Sequence, residues 1–327
     1  MNLIAASRVL NESDLIESFV RHTAHFVDHH LFVDNGSVDG TLQILESLRQ
    51  EGFAISVFRS DARTFIEEKI NTFLYETAVG GFAADWVVFL DVDEFIDDRR
   101  LQQRLRDRVF SFGMQHGAHT CMAVPLREYH VTAQDSDDLV VASRIRHCSP
   151  TSDNLKVIVP ADLVRRQARV QAGNHSVLID GGTVCPAVRE PSLTYAHYAV
   201  RSPYQWLSKS IIGWAKILAA GPEKISAGYS YHYKNPFELL RTNPRSILRD
   251  PVLMTMPATP AGHVADPIVY RGGPLRYTGP TDYPMRAVQV IMQYLHDLAL
   301  HHGEVMELAN NLGGLIGRSE SGVSKIG

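Results

Sequence analysis

Cysteine is scarce in this chain: Cys121, Cys148 and Cys185 are the only three among 327 residues. An odd number without paired CxxC spacing excludes a disulfide framework and a cysteine-based zinc site, and it points to a reducing cytosol. Long apolar runs are lacking too, since none approaches the roughly 20 residues that a membrane-spanning helix needs. Met1 to Leu10 does not show the basic-then-apolar order of a secretory leader, because Arg8 and Glu12 arrive too early. A cytoplasmic chain, or one attached peripherally to the inner face of a membrane, is therefore expected. There is no excess of positive charge either: the formal net charge is −4, which leaves no electrostatic footprint for nucleic acid. Internal repeats are absent. Histidine is plentiful at 15, but pairs such as His29-His30 and His301-His302 put neighbours on different faces of a strand or helix, so most read as surface or structural residues. The remaining composition, 45% hydrophobic and 21% charged, is that of a globular protein with a full core.

What is present is acid at the end of a strand. The apolar run Trp86-Val87-Val88-Phe89 reads as a buried parallel strand, and Leu90-Asp91-Val92-Asp93-Glu94-Phe95-Ile96-Asp97 follows it directly. Extended geometry would point Asp91 and Asp93 the same way beyond the strand's carboxyl end, where open α/β sheets place their ligands. Two carboxylates on one side repel unless a cation neutralises them, and hard divalent ions accept oxygen ligands while leaving positions open for phosphates. A bare DxD is more often a solvated loop or a helix N-terminus. A calcium EF-hand loop is excluded, because its glycine and glutamate positions, counted from Asp91, hold Ile96 and Gln102.

The first hundred residues alternate strand and helix. Strands are expected at Leu3 to Ala6, His30 to Val33, Phe53 to Phe58 and Trp86 to Leu90. Asn11 is placed to cap a first helix running to about Phe26, Thr41 to Gln50 forms a second, and Thr64-Phe65-Ile66-Glu67 reads as a capping box for a third. Such spacing implies parallel βαβ units with right-handed crossovers. Beyond Arg100 the pattern loosens, with strands expected at Met122 to Leu126, Lys156 to Val159 and Val177 to Ile179. Ser202-Pro203-Tyr204-Gln205 is a strong helix start, and the helix should reach about Ala219. Its row Trp206, Ser210, Trp214 and Leu218 reads as a core face in preference to a membrane-interfacial one. Residues 250–284 are rich in Pro and Gly and read as a long loop. An amphipathic helix from about Met285 to Asn310, which packs on the core or mediates a dimer, precedes a Ser/Gly tail. The expected organisation is an α/β domain over 1–245 and a Pro/Gly-rich segment with a C-terminal helix over 246–327.

Two further segments leave strands at the same edge as the acid motif: Arg8-Val9-Leu10-Asn11-Glu12, and the turn Val33-Asp34-Asn35-Gly36-Ser37-Val38-Asp39-Gly40-Thr41. Taken together, RVLNE, VDNGSVDGT and DWVVFLDVDEF resemble, in order and spacing, the family 2-like glycosyltransferases of the GT-A fold. Lys156 in LKVIVP, His175 in GNHSV, and His197, Arg201 and Lys209 in HYAVRSPYQWLSK extend the likeness to the subgroup whose acid motif reads DxDEF, over roughly residues 2 to 220. The resemblance implies a Rossmann-like, mostly parallel sheet flanked by helices, a nucleotide-diphosphate sugar donor, Mn2+ or Mg2+, inversion at the anomeric carbon, and a glycan or lipid-linked acceptor. It also implies roles. Asp34, Asn35 and Asp39 would lie beside the nucleoside, with Arg8, Asn11 and Glu12 in the same pocket and Asp61 near the base. Asp93 would bind the metal and Asp91 the ribose or the metal, with His175 and His197 competing to complete the shell. Lys156, Arg201 and Lys209 are candidates to offset charge on the departing diphosphate. An inverting transfer needs a base for the acceptor hydroxyl, and Glu128 is the first candidate with Asp135 second. The chain departs from the family pattern at Arg127-Glu128-Tyr129-His130 and at Val159-Pro160. A sugar-nucleotide pyrophosphorylase would share a sheet and a metal, but Ala5-Ala6-Ser7-Arg8-Val9 lacks the glycine-rich loop it needs. A non-catalytic nucleotide-sugar binder is the other alternative.

Overall fold

The computed structural model describes residues 1–132, 135–150, 153–245 and 262–316. Residues 250–261 of the Pro/Gly-rich stretch and the Ser/Gly tail beyond 316 lie outside the described residues. Strands β1 (Leu3–Val9), β2 (His29–Asp34), β3 (Ile55–Arg59) and β4 (Trp86–Phe89) are parallel, in the order β3-β2-β1-β4. Helices α1 (Ile16–Thr23), α2 (Thr41–Glu51) and α3 (Glu67–Phe82) cross between them. The strands are apolar almost throughout because both faces are covered: Phe19, Leu45 and Leu48 close one side over Phe32, while Leu74 and Tyr75 close the other over Ile4 and Leu31. All four strands run the same way, so their carboxyl ends deliver Arg8, Asp34 and Asp91 to one edge. The α/β architecture is thus the expected one, but the sheet is mixed. Strand β8 (Leu155–Pro160) lies antiparallel between β4 and the long strand β6 (Cys121–His130). The expected strand at Val177 to Ile179 forms in a separate three-stranded sheet.

Three local expectations are corrected. Asn11 does not cap α1, which begins at Ile16, with Leu15 in the capping position, and ends at Thr23. Asn11 instead has φ 56°, its N–H donates to Ser37 Oγ at 2.8 Å, and its Oδ1 accepts from Val38 N–H at 2.9 Å. The residue fastens two loops together. The Thr64–Glu67 box does not close, since Ile66 holds the capping position of α3 without a side-chain bond. Glu67 is drawn away to the Arg8 guanidinium and to Gly173 N–H, 2.8 Å away, because a charged partner outweighs a neutral cap. The acid motif does not continue extended either. Leu90 to Asp93 turn, closed by Glu94 N–H donating to Asp91 O at 2.9 Å, into strand β5 (Glu94–Asp97). The alternation that would put Asp91 and Asp93 on one face therefore does not apply.

β5 pairs antiparallel with β13 (Thr194–His197), which also runs parallel beside β6, and this register sets His197 opposite both Glu94 and Glu128. Helix α6 (Pro203–Ala219) starts as expected. Ser202 Oγ accepts from Gln205 N–H at 3.0 Å, and Gln205 Oε1 accepts from Arg201 N–H at 3.1 Å. Trp206, Ser210 and Trp214 are buried, but Leu218 is 44% exposed and Ile217 takes its place. Steps of four residues overshoot a full turn by about 40°, so the row has drifted about 120° by its fourth member.

The strap 262–282 binds the domain along one side. Its strand β14 (Val264–Ala265) pairs with β7 (His147–Cys148), Arg271 reaches Asp98 at 2.8 Å, and N–H groups of residues 276–278 donate to buried Glu17. The C-terminal helix (Tyr283–Ile316) begins where Asp282 Oδ1 accepts from Met285 N–H at 3.0 Å. It packs Val290 and Tyr294 against Ile212 of α6 and leaves Met285, Val288, Met292 and Leu295 exposed on its other side. No described helix is long and apolar enough to cross a membrane.

Candidate functional site

A cleft of about 720 Å³ opens at the carboxyl edge of β1, β2 and β4, walled by α6, residues 228–233 and the C-terminal helix. Acids and bases alternate along its floor. Asp91 accepts from Lys156 Nζ at 2.7 Å and Arg8 Nη2 at 2.9 Å. Asp93 lies 2.5 Å from Lys209 Nζ and 3.7 Å from His197 Nε2. Burial alone would raise both aspartates, but these cations outweigh it and hold both below the usual carboxylate range. Glu94, 2.8 Å from Lys156 Nζ, fares differently. Burial, with Asp91 and Asp93 close by, pushes its carboxyl up to about 7 despite the lysine, and its Oε1 is buried without an aligned hydrogen bond.

His197 bridges the acids to strand β6, which carries Glu128. Its Nδ1 is 2.8 Å from Glu128 Oε2, an ion-pair contact whose direction falls short of a hydrogen bond. Burial disfavours the imidazolium, yet Glu128 and Asp93 reverse that and raise its pKa well above the ordinary value. Burial likewise raises Glu128, and His197 then brings it net below the usual range. His175 sits apart at the cleft rim, with Nδ1 2.7 Å from Leu155 O. Asp135 accepts from Thr132 N–H at 3.0 Å and does not line the cleft.

The nucleoside-side candidates divide. Asp34 is fully buried and its oxygens accept from Gly36 and Ser37 N–H at 3.1 Å, shaping the turn. Asp39 accepts from Thr41 Oγ1 at 2.6 Å and pairs with Arg286 of the C-terminal helix at 2.9 Å. Arg201 is buried behind the cleft, where it binds Asp14 at 2.7 Å and Glu12. Asp61 is 80% exposed and 3.5 Å from Arg59, outside the cleft lining. Arg8, Asn11, Glu12 and Asn35 do line it. Asn35 Nδ2 donates to Ala62 O at 2.8 Å and Ser60 O at 3.2 Å, which turns its Oδ1 toward Lys216 Nζ, 2.6 Å away.

For a cation, the structure groups Asp93, Glu94 and His197, whose ligand atoms lie within 4.8 Å of one another. Two carboxylates and an imidazole are a donor set that divalent Mn2+ accepts, and Glu94 Oε1, which has Lys156 Nζ beside it but no aligned hydrogen bond, fits that use. Asp91 and His175 fall outside the group. Sequence reasoning did not single out Glu94, Glu67, Lys216 or Arg286. Glu94 was within reach, since it stands in the acid motif itself. The others carry no local signal.

Fold and cleft define an α/β domain that gathers paired acids and cations at its nucleotide-type edge. Residues 9–107, less than half of the chain, match the model described as Glycosyl transferase family 2, so this N-terminal segment is similar to that family. No curated protein matches the sequence. Among solved structures, a mannosyltransferase from Pyrobaculum calidifontis in complex with GDP-Man and Mn2+ is 14% identical, over 77% of this chain and 73% of that one, with a TM-score of 0.37. A glucosyl-3-phosphoglycerate synthase from Mycobacterium tuberculosis in complex with Mn2+, UDP and glucosyl-3-phosphoglycerate is 13% identical, over 67% and 77%, with a TM-score of 0.32. Likeness that distant carries neither substrate nor mechanism across.

Proposed function

We propose that this chain is a metal-dependent, inverting glycosyltransferase that moves a sugar from a nucleotide-diphosphate donor to a hydroxyl of a glycan or lipid-linked acceptor, in the cytoplasm or at the inner face of a membrane. The observation that carries the reading is the meeting of Asp91, Asp93 and Glu94, which lie inside the family-matched segment, with Arg8, Lys156, Lys209 and His197 from outside it, in one cleft.

Asp93, Glu94 and His197 would hold the ion, with the His197 ring giving up, when the ion binds, the proton that Asp93 and Glu128 otherwise keep on it. When bound, the ion supplies positive charge against the departing diphosphate. Lys209 and Lys156 stand beside the same acids and add fixed cationic charge there without reorganising, which favours a state with more negative charge on the leaving group. Arg8 is held by Glu67 and Asp91 at the mouth of β1, placed to meet a phosphate or ribose. Glu128 orients the His197 ring through Oε2, and its other carboxylate oxygen is the proposed acceptor of the hydroxyl proton. Asn11, Asp34 and Asp39 serve the nucleoside by building the turn it rests on, and Asn35 and Glu12 face it from the lining.

The test is calorimetric titration of UDP-, GDP- and dTDP-sugars with and without Mn2+, into the native protein and Asp93→Asn. Metal-dependent binding of one nucleotide class, weakened at least about 100-fold in the variant, is the expected result. Folded native protein that binds no nucleotide under either condition would sink the reading. Slow donor hydrolysis by the native protein then separates an enzyme from a binding protein.

A further inference from the structure

Cations around the cleft come with carboxylates. Arg8 has Glu67 and Asp91, Lys156 has Asp91 and Glu94, and Lys209 has Asp93. Arg63, Arg201 and Arg286 have Asp297, Asp14 and Asp39. Lys216 differs. Among the described residues no carboxylate lies within 4 Å of its Nζ, whose recorded partner is the neutral Asn35 Oδ1 at 2.6 Å. An ammonium has three N–H donors, so two remain for something else.

We infer that Lys216 is a receptor for a phosphate of the donor's diphosphate, and that the ligand itself supplies the counter-charge the protein withholds. This rests on the functional reading above and adds a residue and a charge mechanism to it. Geometry supports the assignment. Lys209 and Lys216 are seven residues apart on α6, about 10 Å along its axis, and both line the cleft. Lys209 marks the acid end at Asp93, and Lys216 marks the nucleoside end at Asn35. A diphosphate bridging nucleoside and sugar has to lie between those ends.

Every element around Lys216 contributes to its charge balance. Burial disfavours the ammonium first, then Arg8 from β1 and Arg63 from the loop after β3 repel it. Asp34 at the end of β2 and Glu67 of α3 oppose that from beyond ion-pair distance, while Asp297 of the C-terminal helix is taken by Arg63 at 3.1 Å. The net effect lowers Lys216 to about 7. Although the pocket shields it, Lys216 keeps some accessible surface and lines the cleft. A bound phosphate would restore the proton, so nucleotide binding above pH 7 should take up a proton from solution.

The experiment titrates UDP and GDP, in the presence of Mn2+, into the native protein, Lys216→Met, Lys216→Gln and Lys216→Arg at pH 6.5 and 8.5, in two buffers of different ionisation enthalpy. The expected result is binding weakened about 10- to 100-fold in the Met and Gln variants and partly kept in Lys216→Arg. Proton uptake approaching one per nucleotide is expected for the native protein at pH 8.5, and it should vanish with Met. Nucleotide binding of undiminished affinity and unchanged proton uptake in folded Lys216→Met or Lys216→Gln would overturn the inference and leave the functional reading intact. A native protein that binds neither nucleotide would overturn both.

Discussion

Lys209 and Lys216 stand on one helix and line one cleft, yet the protein treats them in opposite ways. At the acid end Lys209 is matched to Asp93 at 2.5 Å, and although burial works against it, its pKa is driven up. At the Asn35 end Lys216 has only an amide oxygen and is driven down to about 7. Burial is common to both, so the difference comes from the partner. A buried pair with good geometry holds its charges, whereas a buried charge without a partner weakens itself by shedding its proton. In a folded chain the first arrangement is internal structure. The second is an interaction left for a ligand to complete.

The strongest way to break this contrast is to turn a matched cation into an absent one. Arg201→Met would leave Glu12 and Asp14 buried without their main partner, at a cost of about 3–5 kcal/mol, seen as a lowered urea midpoint at pH 7. Asp14 is held low because Arg201 and Arg286 outweigh burial, so its share of the loss should shrink as the pH falls and the orphaned carboxyls take up protons. A destabilisation independent of pH would show that packing, not charge, is what Arg201 contributes.

The same substitution at the two lysines sharpens the contrast most directly. Lys209→Met should destabilise the unliganded protein by about 3 kcal/mol, since Asp93 loses its nearest counter-charge. Lys216→Met should leave stability unchanged or raise it by up to about 1 kcal/mol, since it removes an unpaired buried cation. Guanidinium denaturation of both variants at pH 7 gives the comparison. Equal losses would mean that the two ends are built alike.

Smaller per unit of pH is the contribution of two histidines buried neutral elsewhere. His22 Nε2 faces Ile96 O at 2.8 Å and its Nδ1 accepts from Arg271 N–H at 3.2 Å, which uses both nitrogens of the neutral ring. Burial lowers His22 to about 4 and His30 to about 3, against about 6.5 in the unfolded chain. Folding therefore favours the uncharged rings. Their stabilisation is fully present above pH 6.5 and is lost as pH falls toward 4 and 3, at about 1.4 kcal/mol per pH unit for each ring. Denaturation of His22→Gln between pH 7 and 4 should show a shallower slope than the native protein by about one proton.

Much of the framework was legible because its signals are local. Four apolar strands, their crossover helices and the Ser202 cap of α6 are set by periodicity and by hydrogen bonds spanning a few residues, and all appear within a few residues of expectation. Local rules failed where a distant charge intervened. Glu67 left its box for Arg8, and Asn11 left the helix for a loop across the sheet. At the site, Arg8, Asp91, Asp93, Lys156, Lys209 and His197 do converge on one cleft. Glu12 and Arg201 meet in a buried cluster beside Asp14, and Asp61 stands in solvent. Lys216 had no signal, since a lysine on a helix surface looks the same whether or not a carboxylate awaits it.

By itself, the sequence determined the parallel strands and the acid motif that leaves one of them, because apolar runs and chain direction are properties of consecutive residues. Only the tertiary structure decided which cation meets which acid. Lys156 reaches Asp91 across 65 positions and Lys209 reaches Asp93 across 116. Those pairings depend on the register of β8 between β4 and β6 and on the seating of α6 over the sheet, and electrostatic energy in a buried cleft depends on separations of a few ångströms that no local pattern encodes.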